Sequence, residues 1–542
     1  MLGLMQDWPL LIHKIIDCAA IQHAETEIVS RTLEGPIART DYRTLRQRAL
    51  RVAQKLSREG VKLGDRVATL AWNGARHLEA WYGISGVGAI CHTVNPRLFP
   101  DQIAWIINDA EDRLVFADAM FAPLLEGLAE KLPSVERYLL LTDAEHMPPT
   151  KLKAAISFEE WLSDADGDFR WAEFDERTAA GLCYTSGTTG HPKGVLYSHR
   201  SNVLHALATT GADCAPIGPT SSVMPVVPMF HANSWGLAYS CPMRGAKMVM
   251  PGAKLDGASV YELLESEKVT MTAAVPTVWL MLLAYLQREK KRPTTLKRVL
   301  IGGSACPPEM IRAFEDDYGV EVRHAWGMTE MSPIGSAGSI KPIVAGLPRE
   351  QILVLKAKQG WASFGVEMKI VDDENRELPW DGKRFGRLKV KGCAVAKSYF
   401  KGAGGEILDR DGFFDTGDVA TIDAHGYMQI TDRAKDVIKS GGEWISSIDI
   451  ENYAVGHPDV AEAAVIGVRH AKWDERPLLV VVAKEGRTPS KESLLTYLET
   501  RIAKWWMPDD VKIVKEIPHT ATGKINKVKL RELYKDYRLP TA

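Results

Sequence analysis

Short apolar runs bounded by Gly, Pro or Asp alternate with helical patterns through most of the first 430 residues, and this alternation restricts the fold most. Strands separated by helices pair in parallel, and the helices must then cover the sheet faces. AAGLCY (179 to 184), KRVLI (297 to 301) and EVRHA (321 to 325) are such runs. Between them, HRSNVLHALATT is predicted to place Val203, Leu204 and Leu207 on one helical face behind a Ser198 cap. The predicted class is α/β, with mostly parallel, helix-covered sheets.

One core stops growing at about 250 to 300 residues, so a chain of 542 is expected to form two or more domains. The texture changes near residue 430, where GYMQITDRAKDVIKSGGEW is charged and Gly-rich. A compact α+β pattern follows: strands in DVAEAAVIGV and PLLVVVAKEG, a helix over SKESLLTYLETRIAKW with Leu494, Leu495, Leu498 and Ile502 on one side, and a last strand in DDVKIVKEIP. The predicted division is a large N-terminal domain, 1–433, and a small α+β C-terminal domain, 434–542.

With 67 Lys+Arg against 69 Asp+Glu, the formal net charge is -2, which gives no reason to expect a nucleic-acid partner. The start, MLGLMQDWPLLIHKII, breaks its apolar run at Asp7, His13 and Lys14; it reads as a short amphipathic helix rather than a signal peptide. No run approaches about 18 uncharged apolar residues, so no membrane span is expected. The seven cysteines are scattered and never spaced as CxxC, which fits a reducing cytoplasm and indicates neither disulfides nor zinc.

The sharpest local signal is YTSGTTGHPKG, residues 184 to 194. Gly187, Gly190 and Gly194 let backbone approach a polyphosphate, Ser186, Thr188 and Thr189 add hydroxyl donors, and Lys193 adds a cation. This is not a Walker A loop, because Pro192 precedes the lysine and Gly194 follows it. Alone, the loop supports phosphate binding and leaves a γ-phosphate-splitting kinase or ATPase open.

The loop resembles the signature of the adenylate-forming superfamily, which includes acyl-CoA synthetases, peptide-synthetase adenylation domains and beetle luciferases. WGMTE (326 to 330), DTGD (415 to 418), ITDRAKDVIKSGGEWIS (430 to 446) and PHTATGKINK (518 to 527) follow in that family's order, so the resemblance covers nearly the whole chain. It implies a small mobile C-terminal domain, ATP and Mg²⁺, and a carboxylate attacking the α-phosphorus. Trp326 can offer a ring face to the base, Thr329 a hydroxyl to the α-phosphate and Glu330 a carboxylate to the metal. By resemblance, Gly303, Ser304 and Ala305 line the adenine pocket, and Thr185, Gly327, Met328 and Ile430 join the nucleotide site. Asp418 and Arg433 reach the ribose, Lys435 is the hinge, and Lys524 is the catalytic lysine with Thr329 and Glu330. Asp432 stands where many relatives have Gly.

PMFHANSW (228 to 235) resembles the acyl-pocket motif. His231 occupies the place of the Asp that holds the ammonium in amino-acid-activating relatives, which favours a simple organic acid. Trp235, Gly302, Met328 and Pro333 would shape an apolar pocket. PRLFPDQIAWIIN, SGGEWISSIDIEN and AKWWMP resemble bacterial acyl-CoA ligases for medium-chain acids and 3-(methylthio)propionate. The implied partners are a small carboxylic acid and coenzyme A, whose pantetheine arm would meet Gly441, Gly442, Glu443 and Trp444. Relatives are often homodimers. Transfer to a carrier-protein thiol and a non-catalytic nucleotide-binding regulator remain alternatives. No serine or cysteine stands out as a nucleophile, since GGSAC departs from GxSxG and Cys306 has no base partner in sequence.

Overall fold

The computed structural model describes the chain apart from Leu2, residues 186–190, Lys435, Gly442, residues 521–523 and Ala542, and apart from the side chains of Glu443 and Trp444. Two large sheets organise the first 337 residues and more. One has nine strands in which Ser222–Pro225, Lys247–Met250, Met271–Ala274, Arg298–Ile301 and Glu321–Gly327 run parallel. The other has seven, parallel from Arg66–Leu70 to Ala179–Tyr184 and closed by the antiparallel edge Gly194–Ser198. Helices Tyr42–Arg58 and Ala75–Gly86 lie within the core shared by both sheets, where Tyr42, Trp81 and Tyr82 are fully buried. Burying rings of this size between two sheets fixes their spacing.

The parallel arrangement matches the sequence reading for these two sheets. A third sheet, Val366–Val371 through Met428–Arg433, is antiparallel throughout. Its last strands are joined by the turn at Asp423, whose carbonyl and carboxylate accept the N–H groups of Gly426, His425 and Tyr427. A hairpin of this kind needs no crossover helix.

The capped helix His199–Thr209 forms, with Ser198 Oγ accepting the Ser201 N–H at 3.0 Å. Its buried face differs from the expected one: Leu207 points outward, whereas Asn202, His205 and Thr209 point inward with Val203. Asn202 and His205 can be buried because each is bonded, to Asn233 and to the Ile334 N–H. The N-terminal helix spans only His13–Gln22.

The five-stranded sheet from Ile438 to Val514 includes the strands expected in 459–468, 477–486 and 509–518. Its helix stops at Glu499, short of the expected end, because Ala503 is extended ahead of the Lys504–Trp506 turn. Leu494 and Leu498 are fully buried all the same. Among the described residues no helix is long and apolar enough to cross a membrane, and the seven cysteines are unbridged.

Candidate active site

In open parallel sheets ligands bind beyond the carboxyl ends of the strands, and there the singled-out residues gather. The phosphate segment joins strands Ala179–Tyr184 and Gly194–Ser198. Its base is tied by the Thr185 N–H to the Lys193 carbonyl (2.9 Å) and by the Lys193 N–H to Thr185 Oγ1 (3.2 Å). Ser186, Gly187, Thr188, Thr189 and Gly190 lie outside the described residues. Lys193 Nζ sits 4.9 Å from the centre of the Tyr399 ring. The Tyr399 hydroxyl donates to Glu330 Oε1 at 2.6 Å, and the Tyr197 hydroxyl donates to the Thr329 carbonyl at 2.6 Å. Lys193 and the turn carrying Thr329 and Glu330 are thus mechanically joined through Tyr399. Neither tyrosine belongs to a sequence motif.

Glu330 is 6% exposed and heads no cluster: among the described residues no group of three or more His, Cys, Asp or Glu could hold a metal. That donor set suits Mg²⁺, which is held by one or two carboxylates together with phosphates and water.

Asp418 is buried, and both of its oxygens are engaged. Oδ2 accepts the Trp326 indole N–H and Oδ1 faces Arg433 Nε, each at 2.9 Å. Burial pushes the Asp418 carboxyl up, while Arg433, the indole N–H and Lys524 pull it back. Trp326 is 8% exposed and belongs to the buried cluster that includes Met331, Ile370, Leu388 and Ile430, and its indole N–H orients Asp418. Ile430 is buried as part of that floor, its N–H donating to Gln359 Oε1. Gly303 and Ser304 open onto the cleft just beyond strand Arg298–Ile301, with Ala305 partly covered. Asp415 lies in strand Phe414–Ile422, where its carboxylate accepts the Gly417 N–H and pairs with Arg387.

The PMFHANSW segment (228 to 235) has unusual backbone. Ala232, Asn233, Ser234 and Trp235 carry φ of 40°, 62°, 55° and 54°, ending in Gly236. Left-handed residues other than glycine cost of order 1 kcal/mol or more each, so the surroundings must hold them. Asn233 is bonded to Asn202, Ser234 Oγ donates to the Val227 carbonyl, and Asn73 bonds to Pro225, Val227 and Met229. The turn lays Trp235 over Gly302, where an added Cβ would meet the ring at 3.2 Å and the Ala325 carbonyl at 3.0 Å. A Cβ on Gly327 would lie 2.2 Å from the Pro333 carbonyl, which also accepts the Met328 N–H. His231 is pushed down to about 3, by burial first and then by Lys524 and Arg97, so it is neutral.

Lys524 arrives from the C-terminal segment, where the Thr520 N–H donates to the Lys524 carbonyl at 2.7 Å and the Lys524 N–H donates to Thr520 Oγ1 at 3.2 Å. Lys524 keeps access to solvent, yet the protein around it strips away part of its hydration. Loss of hydration lowers its pKa and Arg433 adds repulsion, while Asp418 and Glu330 oppose both. Lys435 and Gly442 lie outside the described residues. Gly441 has φ 59° and backs onto Trp473, where a Cβ would approach the indole to 2.9 Å. The backbone of Glu443–Ile445 pairs with Ile438–Ser440 in a hairpin.

The chain matches the AMP-binding enzyme model over residues 18–400 and the AMP-binding enzyme C-terminal domain model over 449–524. It is 49% identical to a 3-methylmercaptopropionyl-CoA ligase of Ruegeria lacuscaerulensis, covering 99% of both chains. It is 46% identical to a medium-chain-fatty-acid–CoA ligase of Ectopseudomonas oleovorans, covering 99% of this chain and 98% of that one. A crystal structure of an anthranilate CoA ligase in complex with anthranoyl-AMP superposes with a TM-score of 0.85 at 25% identity, over 98% of this chain and 99% of that one. Matched by both family models and by near-full-length relatives, the chain belongs to the AMP-binding enzyme family, among its CoA ligases.

Proposed function

We propose that the protein joins a short- or medium-chain carboxylic acid to coenzyme A in two steps, with 3-(methylthio)propionate among its substrates. The carboxylate attacks the α-phosphorus of ATP and releases pyrophosphate; the thiol of CoA then displaces AMP from the acyl-adenylate. One observation carries this reading: Lys524, from the C-terminal segment, sits within electrostatic reach of Glu330, Asp418 and His231 from the N-terminal part. A cation there lies where an attacking carboxylate and an α-phosphate would crowd negative charge.

In this reading Lys193 and the phosphate loop hold the β- and γ-phosphates, Thr329 bonds the α-phosphate, and Asp418 with Arg433 receives the ribose. Gly303, Ser304 and Ala305 border the base. Glu330 would hold Mg²⁺, which when bound neutralises phosphate charge. His231, neutral and uncharged toward the acid, disfavours an amino-acid substrate, and Trp235 sets pocket depth over Gly302. After adenylation the domain of residues 434–542 turns about Lys435, withdraws Lys524 and brings the Gly441–Trp444 hairpin to the pantetheine arm. A cytoplasmic location suits seven unbridged cysteines, and a homodimer is the assembly to look for by size-exclusion chromatography.

The test is product analysis over acetate to decanoate, 3-methylthiopropionate, benzoate and amino acids, with and without CoA. AMP, pyrophosphate and acyl-CoA are expected for the simple acids. ADP with free phosphate would refute adenylation. Adenylate formation without acyl-CoA would leave a carrier-protein thiol as the acceptor.

A further inference from the structure

Asp432, the residue that stands where many relatives have Gly, ends up in a buried network across the expected hinge. It lies on strand Met428–Arg433, just before Lys435, and is 1% exposed. Its Oδ1 accepts the Arg433 N–H at 2.8 Å. Its Oδ2 accepts both the N–H and the hydroxyl of Ser447, at 3.1 and 2.6 Å, the first residue of helix Ser447–Val455 beyond the hinge. A carboxylate at a helix N-terminus is favoured by the helix dipole as well as by its hydrogen bonds.

The network continues into the segment that carries the catalytic lysine. Lys527 Nζ donates to Ser447 Oγ and pairs with Glu451 Oε1 at 2.8 Å, and Glu451 also accepts the Val465 N–H. Lys527 opens the last helix, Lys527–Leu533, three residues after Lys524. Two parallel ties cross the same boundary: Ser446 Oγ to the Thr431 carbonyl, and Gln429 to Asp449. A Gly at 432 would keep the backbone but remove the carboxylate on which these charges converge.

We propose that Asp432 is a positioning residue for adenylation: through Ser447 and Lys527 it latches the C-terminal domain in the orientation that presents Lys524 to the cleft. Because Asp432 lies before the hinge and its partners beyond it, a turn about Lys435 must break these bonds. The latch therefore favours the first half-reaction and opposes departure to the second. The proposal rests on the reading that the C-terminal domain turns between half-reactions.

The experiment compares wild type, Asp432→Gly, Asp432→Asn and Ser447→Ala in two single-turnover assays, acyl-adenylate formation from ATP and acid, and CoA transfer from preformed acyl-adenylate. Loss of a charge-assisted hydrogen bond predicts an adenylation rate about tenfold lower in Asp432→Gly, with a smaller loss in Asp432→Asn. Transfer from the preformed adenylate is expected to be unchanged or faster. Equal losses in both assays, or no loss of adenylation, would overturn the latch. If Asp432→Gly does not fold, Ser447→Ala carries the same criteria, since it removes one hydroxyl and keeps the backbone donor. Wild-type protein that formed no acyl-adenylate would overturn the functional reading and the latch together, whereas a normal wild type with unsplit variants overturns the latch alone.

Discussion

Lys524→Ala separates the two half-reactions most directly. The structure indicates that the lysine's charge is available to substrate: Asp418, its buried acidic neighbour, already has one oxygen on Arg433 and the other on the Trp326 indole. Glu330 is bonded to Tyr399, and His231 is neutral. At an effective dielectric near 20, a cation about 4 Å from developing charge contributes about 4 kcal/mol, which corresponds to roughly a thousandfold in rate. Stopped-flow pyrophosphate release should therefore fall by about that factor in Lys524→Ala, and Lys524→Gln should restore little of it, because reach without charge is not what the site lacks. CoA transfer from preformed acyl-adenylate should stay within a few-fold of wild type. Equal losses in both assays would refute the argument that Lys524 acts only before the domain turns.

The same residue fixes a pH dependence. Loss of hydration and Arg433 lower the Lys524 pKa, so the neutral amine is favoured and the catalytic cation is lost as pH rises through a value below that of an ordinary lysine. Adenylation should show an alkaline limb there, and Lys524→Arg should move it upward, since a guanidinium keeps its proton. A limb at the same pH in both proteins would assign it to another group.

Tyr399→Phe keeps the ring beside Lys193 but removes the hydroxyl bonded to Glu330. Adenylation should fall about tenfold and half-activation should require more Mg²⁺, with the KM for CoA unchanged; an unaltered Mg²⁺ titration would contradict this. In Gly302→Ala the new methyl meets Trp235 at 3.2 Å and a backbone carbonyl at 3.0 Å, so the ring must shift into the acyl pocket. Activity with decanoate should drop about tenfold more than with acetate, the scale of one or two methylenes of lost space. Parallel losses across chain lengths would place Trp235 outside the pocket.

The fold class was legible because buried parallel strands are short continuous apolar runs, and AAGLCY and KRVLI appear as strands Ala179–Tyr184 and Arg298–Ile301. Leu207 departs from the expected helix face because apolar periodicity cannot register a buried polar residue held by a distant partner, as Asn202 Oδ1 is by Asn233. The antiparallel third sheet escaped for a related reason: its strands carry Lys389, Thr416 and Asp418 inward, so they lack a clean apolar signature.

At the site, the residues that sequence could nominate are those whose own chemistry would meet a ligand, such as Lys193, Glu330, Asp418 and Lys524. Those it could not nominate hold these side chains still. Tyr399 follows Glu330 by 69 positions and Asn73 precedes the acyl motif by more than 150, so neither spacing is fixed by local geometry. Asp432 lies between these classes. It stands inside a recognisable motif, yet its hydrogen bonds fall on Ser447 and, through it, on Lys527, a pairing that no motif spacing predicts. Burying a carboxylate costs free energy unless it is bonded, and the bonds that offset that cost at Asp432 reach Ser447 beyond the hinge, so the orientation of the two domains is the property that a Gly at 432 would be expected to change first.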